Sequence, residues 1–239
     1  MKLLIDGDML VHRSTVAVEK DVRFDDEFHI LFSDEKSAWT VLEDTLYDLK
    51  EIACTSDIVM AFSDPKRNFR KDIVGDDYKS NRVGVRKPLC YWDIRKRCEA
   101  EFESSSIPTL EADDVMGILM TQHPGEFILW SLDKDLKQIP GQHIRDDEVL
   151  EITEEEGDRF FLYQCLAGDK TDGYSGVPGC GDVKARKLLD KECSWDTVLA
   201  AYEKAGLTIH DALYNAQMAR ILRVTDYDFD KRRPILWTP

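Results

Sequence analysis

The sequence predicts an α/β protein with a parallel central sheet flanked by helices, and three observations carry that prediction. Short apolar runs recur, and each stops at an aspartate: Leu3 to Ile5 before Asp6 and Asp8, Ile58 to Phe62 before Asp64, and Phe127 to Leu132 before Asp133 and Asp135. Between the first two runs Trp39, Leu42, Leu46, Leu49 and Ile52 fall at spacings of three and four, as on one buried face of a helix. Strands that alternate with helices form a parallel sheet. Ligands of such a sheet bind beyond the carboxyl ends of its strands, which is where these aspartates fall.

Later elements follow in order. Leu110 to Met120 reads as a helix with an apolar stripe through Val115, Ile118 and Leu119, which places Glu111 and Asp114 on its buried face. Buried carboxylates need a cation or a hydrogen-bond network, although acids at a helix N-terminus also serve as caps. Asp113 lies off the stripe unless the helix begins close to it. His143 to Ile152 reads as a strand or hairpin and Glu154 to Leu166 as a helix. Ser194 precedes a helix to about Ala205, and Thr208 opens another with Leu213, Ile221 and Leu222 on one face. Trp237 is expected to fold the tail back onto the body. No linker intervenes, so two lobes of one unit are expected, with a boundary near residue 155.

Composition limits the function. The 239 residues, 43% of them hydrophobic, suffice for a sizeable core. No apolar run reaches the roughly 20 residues of a membrane span, and no secretory signal pattern opens the chain. A cytoplasmic protein without a membrane partner is expected. Six cysteines without a Cys-x-x-Cys pair read as reduced packing residues. The net charge of −15 argues against a nucleic-acid partner, but Lys66 to Arg97 holds eleven basic residues against four acidic ones, +7 locally and −22 elsewhere. Phe69, Tyr78, Tyr91 and Trp92 interleave this segment with rings suited to base stacking.

Gly168 to Leu189 joins two kinds of chemistry. Asp169 and Asp172 supply carboxylates, and Gly176, Gly179 and Gly181 precede a helical run with Lys184, a pattern that offers backbone N–H groups to phosphate. The acids assigned to the strand edge are Asp6, Asp64, Glu111, Asp113, Asp114, Asp133, Asp135, Asp169 and Asp172. Oxygen ligands without His or Cys suit Mg²⁺ or Mn²⁺ better than Zn²⁺. Two such ions could clamp a scissile phosphate. Lys79 and Arg82 could stabilise its developing charge, with Tyr78 stacked on the terminal base.

In this order Ile-Asp6-Gly, Phe-Ser-Asp64, Tyr78-Lys79-Ser-Asn-Arg82, Glu111-Ala-Asp113-Asp114, Asp133-Lys-Asp135 and Gly168-Asp169 through Gly181 resemble the 5′-nuclease (flap endonuclease) superfamily. Asp6-Gly-Asp8, Leu-Glu-x-Asp-Asp-Val-Met-Gly and Gln217-Met-Ala-Arg-Ile-Leu-Arg223 bring the chain nearer to the 5′-to-3′ exonucleases of T7-like bacteriophages. The resemblance implies a PIN-like body over residues 1–155, with a basic arch at about 66–105, and a helix-hairpin-helix (H3TH) lobe over 156–239. It implies a monomer in the host cytoplasm, hydrolysing from the 5′ ends of double-stranded DNA or RNA-DNA hybrid to leave 5′-phosphates. Asp64, Glu111 and Asp113, with Asp6 close by, would face one Mg²⁺ or Mn²⁺, and Asp133, Asp135, Asp169 and Asp172 the other. Asp64 and Asp133 would act in catalysis with Lys79 and Arg82. Arg13 would contact phosphate, and Gly176 to Gly181 with Lys184 would grip the duplex, with K⁺ as a further ligand. The Lys184-to-Ser194 connection and the basic segment are both short for this family, which alters the duplex grip and the room for a long flap. Two other readings stand beside it: a structure-specific flap endonuclease, and a haloacid-dehalogenase-like phosphatase using Asp6-Gly-Asp8 as its Asp-x-Asp.

Overall fold

The computed structural model describes residues 1–24, 28–75, 78–80 and 84–239. The chain runs β1 (Lys2–Asp6), α1 (Gly7–Val18), β2 (Lys20–Arg23), β3 (His29–Phe32), α2 (Glu35–Ala53), β4 (Ile58–Ala61), α3 (Arg70–Val74), α4 (Tyr91–Glu101) and β5 (Glu103–Ser105). It continues through α5 (Ala112–Gln122), β6 (Phe127–Trp130), β7 (Gly141–Arg145), β8 (Glu148–Ile152), α6 (Glu154–Ala167), α7 (Asp182–Lys191), α8 (Trp195–Lys204), α9 (Ile209–Ala219), β9 (Tyr227–Asp228) and β10 (Arg233–Pro234). The main sheet has the order β5-β4-β1-β6-β7-β8. Its strands are parallel except β8, which returns along β7. Ile5 pairs with Met60 and Trp130, so the loops that follow β1, β4 and β6 open on one edge.

Alternate side chains of β1 enter opposite layers, as the pleat requires. Leu3 and Ile5 pack beneath α1, α2 and α4 with Trp39, Leu42, Leu46 and Ile94. Leu4 packs beneath α5 with Val115, Met116 and Ile118. Because both faces are covered, the central strands read as unbroken apolar runs rather than alternating ones. A third cluster, including Phe161, Leu166, Val177, Leu189, Val198, Tyr202 and Ala216, lies among α6 to α9. Thr153, Ser194 and Thr208 accept backbone N–H groups at the starts of α6, α8 and α9. Trp237 meets Phe161 and Trp195 at ring separations of 5.1 and 4.8 Å, closing the tail onto this lobe.

Three expectations are corrected. The last helix ends at Ala219, and Ile221 and Leu222 leave it to join the cluster under α5. Gln138 draws them there: its Nε2 donates to the Ala219 carbonyl at 2.6 Å and its Oε1 accepts from Ile221 N at 3.1 Å. Helical periodicity cannot register such an exit. The described part of the basic segment does not stand off as an arch. α4 packs on the body through Tyr91, Ile94 and Cys98, and Arg67, Arg86 and Arg97 pair with Asp72, Glu19 and Glu101. Of its four rings, Phe69, Tyr78 and Tyr91 are buried, and Trp92 alone is open, at 53%.

Gly176, expected in the duplex grip, is also buried. It has a φ of +62°, donates its N–H to Asn215 Oδ1 at 2.9 Å and lies backbone to backbone against Gly168. A Cβ there would come within 2.6 Å of the Leu166 carbonyl oxygen, whereas one on Gly179 would meet nothing within 4 Å. No helix among the described residues is long and apolar enough to cross a membrane.

Gly176→Ala should therefore lower unfolding free energy by about 3 kcal/mol or more, through strain and overpacking. Gly179→Ala, with only its φ of +68° to resist, should cost about 1 kcal/mol. Denaturant unfolding of the two variants measures the difference.

Candidate active site

Asp6 ends β1 and caps α1, with Oδ1 accepting from Met9 N at 2.9 Å and Oδ2 from the Ser131 hydroxyl at 2.8 Å. Burial, opposed by these bonds and reinforced by the charges of Asp8 and Asp133, raises its pKa to about 6. α5 begins at Ala112, so Asp113 stands in the first helical turn. Burial and then Asp6 and Asp133 push its carboxyl well above the usual range. Asp133 caps a 3-10 turn (Lys134–Gln138) by accepting from Asp135 N at 2.8 Å. Burial, then Asp133, raises Asp135 to about 7, with Asp169 and Asp172 adding to the rise.

Two electrostatic neighbourhoods therefore meet at Asp133. One contains Asp6, Glu111 and Asp113; the other contains Asp135, Asp169 and Asp172. Among the described residues no three of these side chains form a closed metal-ligand group. Lysines stand among them instead. Lys79 Nζ lies 2.6 Å from Glu111 Oε1 and 3.6 Å from Asp172 Oδ2, and Lys134 Nζ lies 3.1 Å from Asp169 Oδ2. Burial would raise the Glu111 carboxyl, yet Lys79 and Arg70 bring it down to about 2. Burial likewise raises Asp169, but Lys134 and the Thr171 N–H hold it low. Lys79 has a left-handed φ of 52°, a conformation an L residue keeps only when its surroundings enforce it.

Two assignments change at this edge. Asp114 is fully buried, and Arg70 grips both its oxygens at 2.7 and 2.9 Å. It also accepts Leu222 N at 3.1 Å and Glu111 N at 3.3 Å, which removes it from the candidate metal ligands. The buried-face spacing was right, and a network rather than an ion answers it. Tyr78, expected to stack on a base, buries its ring and donates its hydroxyl to Glu111 Oε2 at 2.5 Å.

Asp64 stands somewhat apart. Its oxygens accept from Thr109 N at 2.8 Å and Lys66 N at 2.9 Å, and these bonds lower its pKa. Its own N–H donates to the Leu110 carbonyl, which ties it to the entry of α5. Arg13 is exposed on α1, and Arg82 lies outside the described residues. Gly179 and Gly181 are exposed just before α7, and Lys184 Nζ reaches back to the Gly179 carbonyl at 3.3 Å. Sequence reasoning passed over Ser131 and Lys134, although both flank Asp133, and counted Arg70 only as part of a charge run.

A family model described as 5′-3′ exonuclease, N-terminal resolvase-like domain, matches residues 1–159. Over 284 aligned positions the chain is 33% identical to the exodeoxyribonuclease of Enterobacteria phage T3, covering 99% of this chain and 92% of that one. The chain belongs to the 5′-3′ exonuclease family. It is equally similar to the exonuclease of Escherichia phage T7, at 33% over 281 positions, with 99% and 93% coverage. Both alignments exceed this exonuclease's 239 residues, so the two phage proteins carry inserted segments that it lacks. Its fold matches the bacteriophage T5 D15 flap endonuclease, solved as a complex with DNA and metal ions, with a TM-score of 0.68 at 14% identity over 91% of this chain and 88% of that one. The phosphatase reading falls with the family assignment. The geometry agrees: Asp8, the second acid of that motif, is engaged by Ser63 N–H at 2.8 Å, the Tyr91 hydroxyl at 2.9 Å and Arg95 at 3.3 Å.

Carboxyls with raised pKa bind protons more tightly in the folded than in the unfolded state. Stability should therefore fall as pH rises from about 4 through about 7, the interval set by Asp6 and Asp135, with buried His143, held down to about 4, offsetting part of the fall below about pH 6.5 because it must lose its proton to fold. Glu111, shifted downward, acts at lower pH. Thermal melts in chelator should lose roughly 2 kcal/mol or more across that window, and added Mg²⁺ should restore most at its upper end. A flat profile in chelator would contradict the crowding described above.

Proposed function

We propose that this exonuclease hydrolyses phosphodiesters at the 5′ ends of double-stranded DNA, leaving 5′-phosphates, with Mg²⁺ or Mn²⁺ at two positions along the strand-end carboxylates. The observation that carries the reading is the meeting of two carboxylate neighbourhoods at Asp133. The donors fit hard divalent cations: all are oxygens, burial and neighbouring acids raise the pKa of Asp6, Asp113 and Asp135, and Asp135 Oδ1 is buried without a hydrogen-bond partner among the described residues. Asp6, Glu111 and Asp113, joined by Asp64, would hold one ion, and Asp133, Asp135, Asp169 and Asp172 the other. When bound, such ions supply an activated water and stabilise the departing oxygen.

The chain's own groups orient the substrate around that site. Lys79 is already poised between Glu111 and Asp172, and on this reading it moves to the phosphate oxygens as cations take over the carboxylates. Arg82 joins it, and Arg13 and Trp92 meet the strand from α1 and α4. Residues 1–155 cut and residues 156–239 grip, with Gly179, Gly181 and Lys184 offered to the duplex backbone and K⁺ as a further ligand there. The packing of the described part of the basic segment, with α4 against the body and Arg86 on Glu19, favours open ends and nicks over long threaded flaps. RNA-DNA hybrids present the same 5′ end, and the protein acts as a monomer.

Labelled duplex, nicked, flapped and hybrid substrates, offered with Mg²⁺ or chelator, should yield mononucleotides from 5′ ends only when the cation is present. Oligomers released solely from flaps would replace this reading with flap endonuclease activity. Asp133→Ala and Asp169→Ala should each abolish cleavage yet retain duplex binding; full activity in either removes the two-cation assignment. Lys79→Ala should lower kcat by about 10² to 10³ with little change in KM, and a defect confined to KM would assign Lys79 to binding alone.

A further inference from the structure

Arg70 is only 4% exposed, and each of its five N–H donors is engaged. Nη1 donates to Asp114 Oδ2 at 2.7 Å and Glu111 Oε2 at 3.2 Å. Nη2 donates to Asp114 Oδ1 at 2.9 Å and the Arg220 carbonyl at 2.6 Å, and Nε to the Met218 carbonyl at 3.2 Å. These acceptors belong to two distant places, the start of α5 and the end of α9. Arg70 itself opens α3, so three elements meet on one planar group. Buried this deeply, it cannot touch DNA.

We propose that Arg70 is a positioning residue that holds Glu111 and the end of the helical lobe in one frame, and thereby sets where along the strand the cut falls. The proposal rests on the reading above, in which Glu111 serves a cation and α6 to α9 carry the duplex grip. A guanidinium fixes its donors in a rigid fork, so the Met218 and Arg220 carbonyls at the end of α9 and the two carboxylates cannot shift relative to one another without breaking a bond. Glu111 also receives the Tyr78 hydroxyl. If Lys79 turns toward phosphate, Arg70 and Tyr78 remain to aim the Glu111 carboxylate. Displacements near 1 Å between a held substrate and the reacting groups suffice to cost about 10²-fold in rate.

Gln138 provides the internal comparison. It binds the same end of α9, through the Ala219 carbonyl and Ile221 N, and also Gln164, without touching a carboxylate. A purely structural role for Arg70 predicts that the two residues behave alike.

Arg70→Lys keeps the charge and removes the fork. On 5′-end duplex substrates it should lower kcat about tenfold or more with KM little changed, and its product ladder should broaden from mononucleotides to a mixture including di- and trinucleotides. Mn²⁺ binding followed calorimetrically without DNA should weaken severalfold. Gln138→Leu should lower the melting temperature while keeping the mononucleotide ladder and the Mn²⁺ affinity. A wild-type ladder with wild-type Mn²⁺ affinity in Arg70→Lys overturns the proposal, as does a Gln138→Leu protein that reproduces both changes. Should Arg70→Lys show no cooperative melt, Asp114→Asn, which loosens one side of the fork, decides by the same two readouts. Absence of 5′-end mononucleotides or of Mn²⁺ binding in the unmodified protein would defeat the functional reading itself, independently of Arg70.

Discussion

Carboxylates at the carboxyl edge of β1, β4 and β6 sit where burial raises the energy of every negative charge, and most are close enough to one another to make ionisation a shared cost. Much of the surrounding structure answers that cost. Asp6 spends its oxygens on the first turn of α1 and on Ser131, and Asp64 on two backbone N–H groups. Lys79 and Lys134 lean into the cluster from outside the sheet. The residual stress remains on Asp6, Asp113 and Asp135, whose carboxyls all hold their protons abnormally tightly. That pattern separates acids whose charge the protein itself meets from acids whose charge it leaves uncompensated. Asp114, with its fork to Arg70, belongs to the first kind, although its sequence neighbour Asp113 belongs to the second.

The same economy of charge explains how an acidic protein can act on a polyanion. Its basic segment is largely spent internally: Arg70, Arg86, Arg95 and Arg97 all pair with acids of the chain. These pairings reduce the cationic surface free to bind phosphate indiscriminately, and binding of that kind is what makes association strongly salt-dependent. On the reading proposed above, recognition falls to a few places, the strand-end site and the exposed turn of Gly179 and Gly181 before α7. These two places are joined rigidly. Gly168 and Gly176 press backbone against backbone between them, while Gln138 and Arg70 bind the end of α9 to the catalytic layer.

By itself, the sequence determined the fold class, the strand-end placement of the acids, the helix starts at Ser194 and Thr208, and the family. These are local or ordered features: apolar runs stop where strands stop, capping oxygens precede helices by fixed offsets, and motifs keep their order along the chain. Tertiary structure alone decided which acids face one another and which are taken. Glu111, Asp113 and Asp114 are neighbours with similar chemistry, and only the arrival of Arg70 from α3 and Leu222 from beyond α9 separates their roles. The rings of Phe69, Tyr78 and Tyr91 carry no mark in sequence that they point inward. Gly176 and Gly179 look alike until a backbone segment eight residues upstream of the former closes on it. The physical reason is the same in each case: burial and hydrogen-bond partners come from residues far away in sequence, and no local pattern records who those partners are.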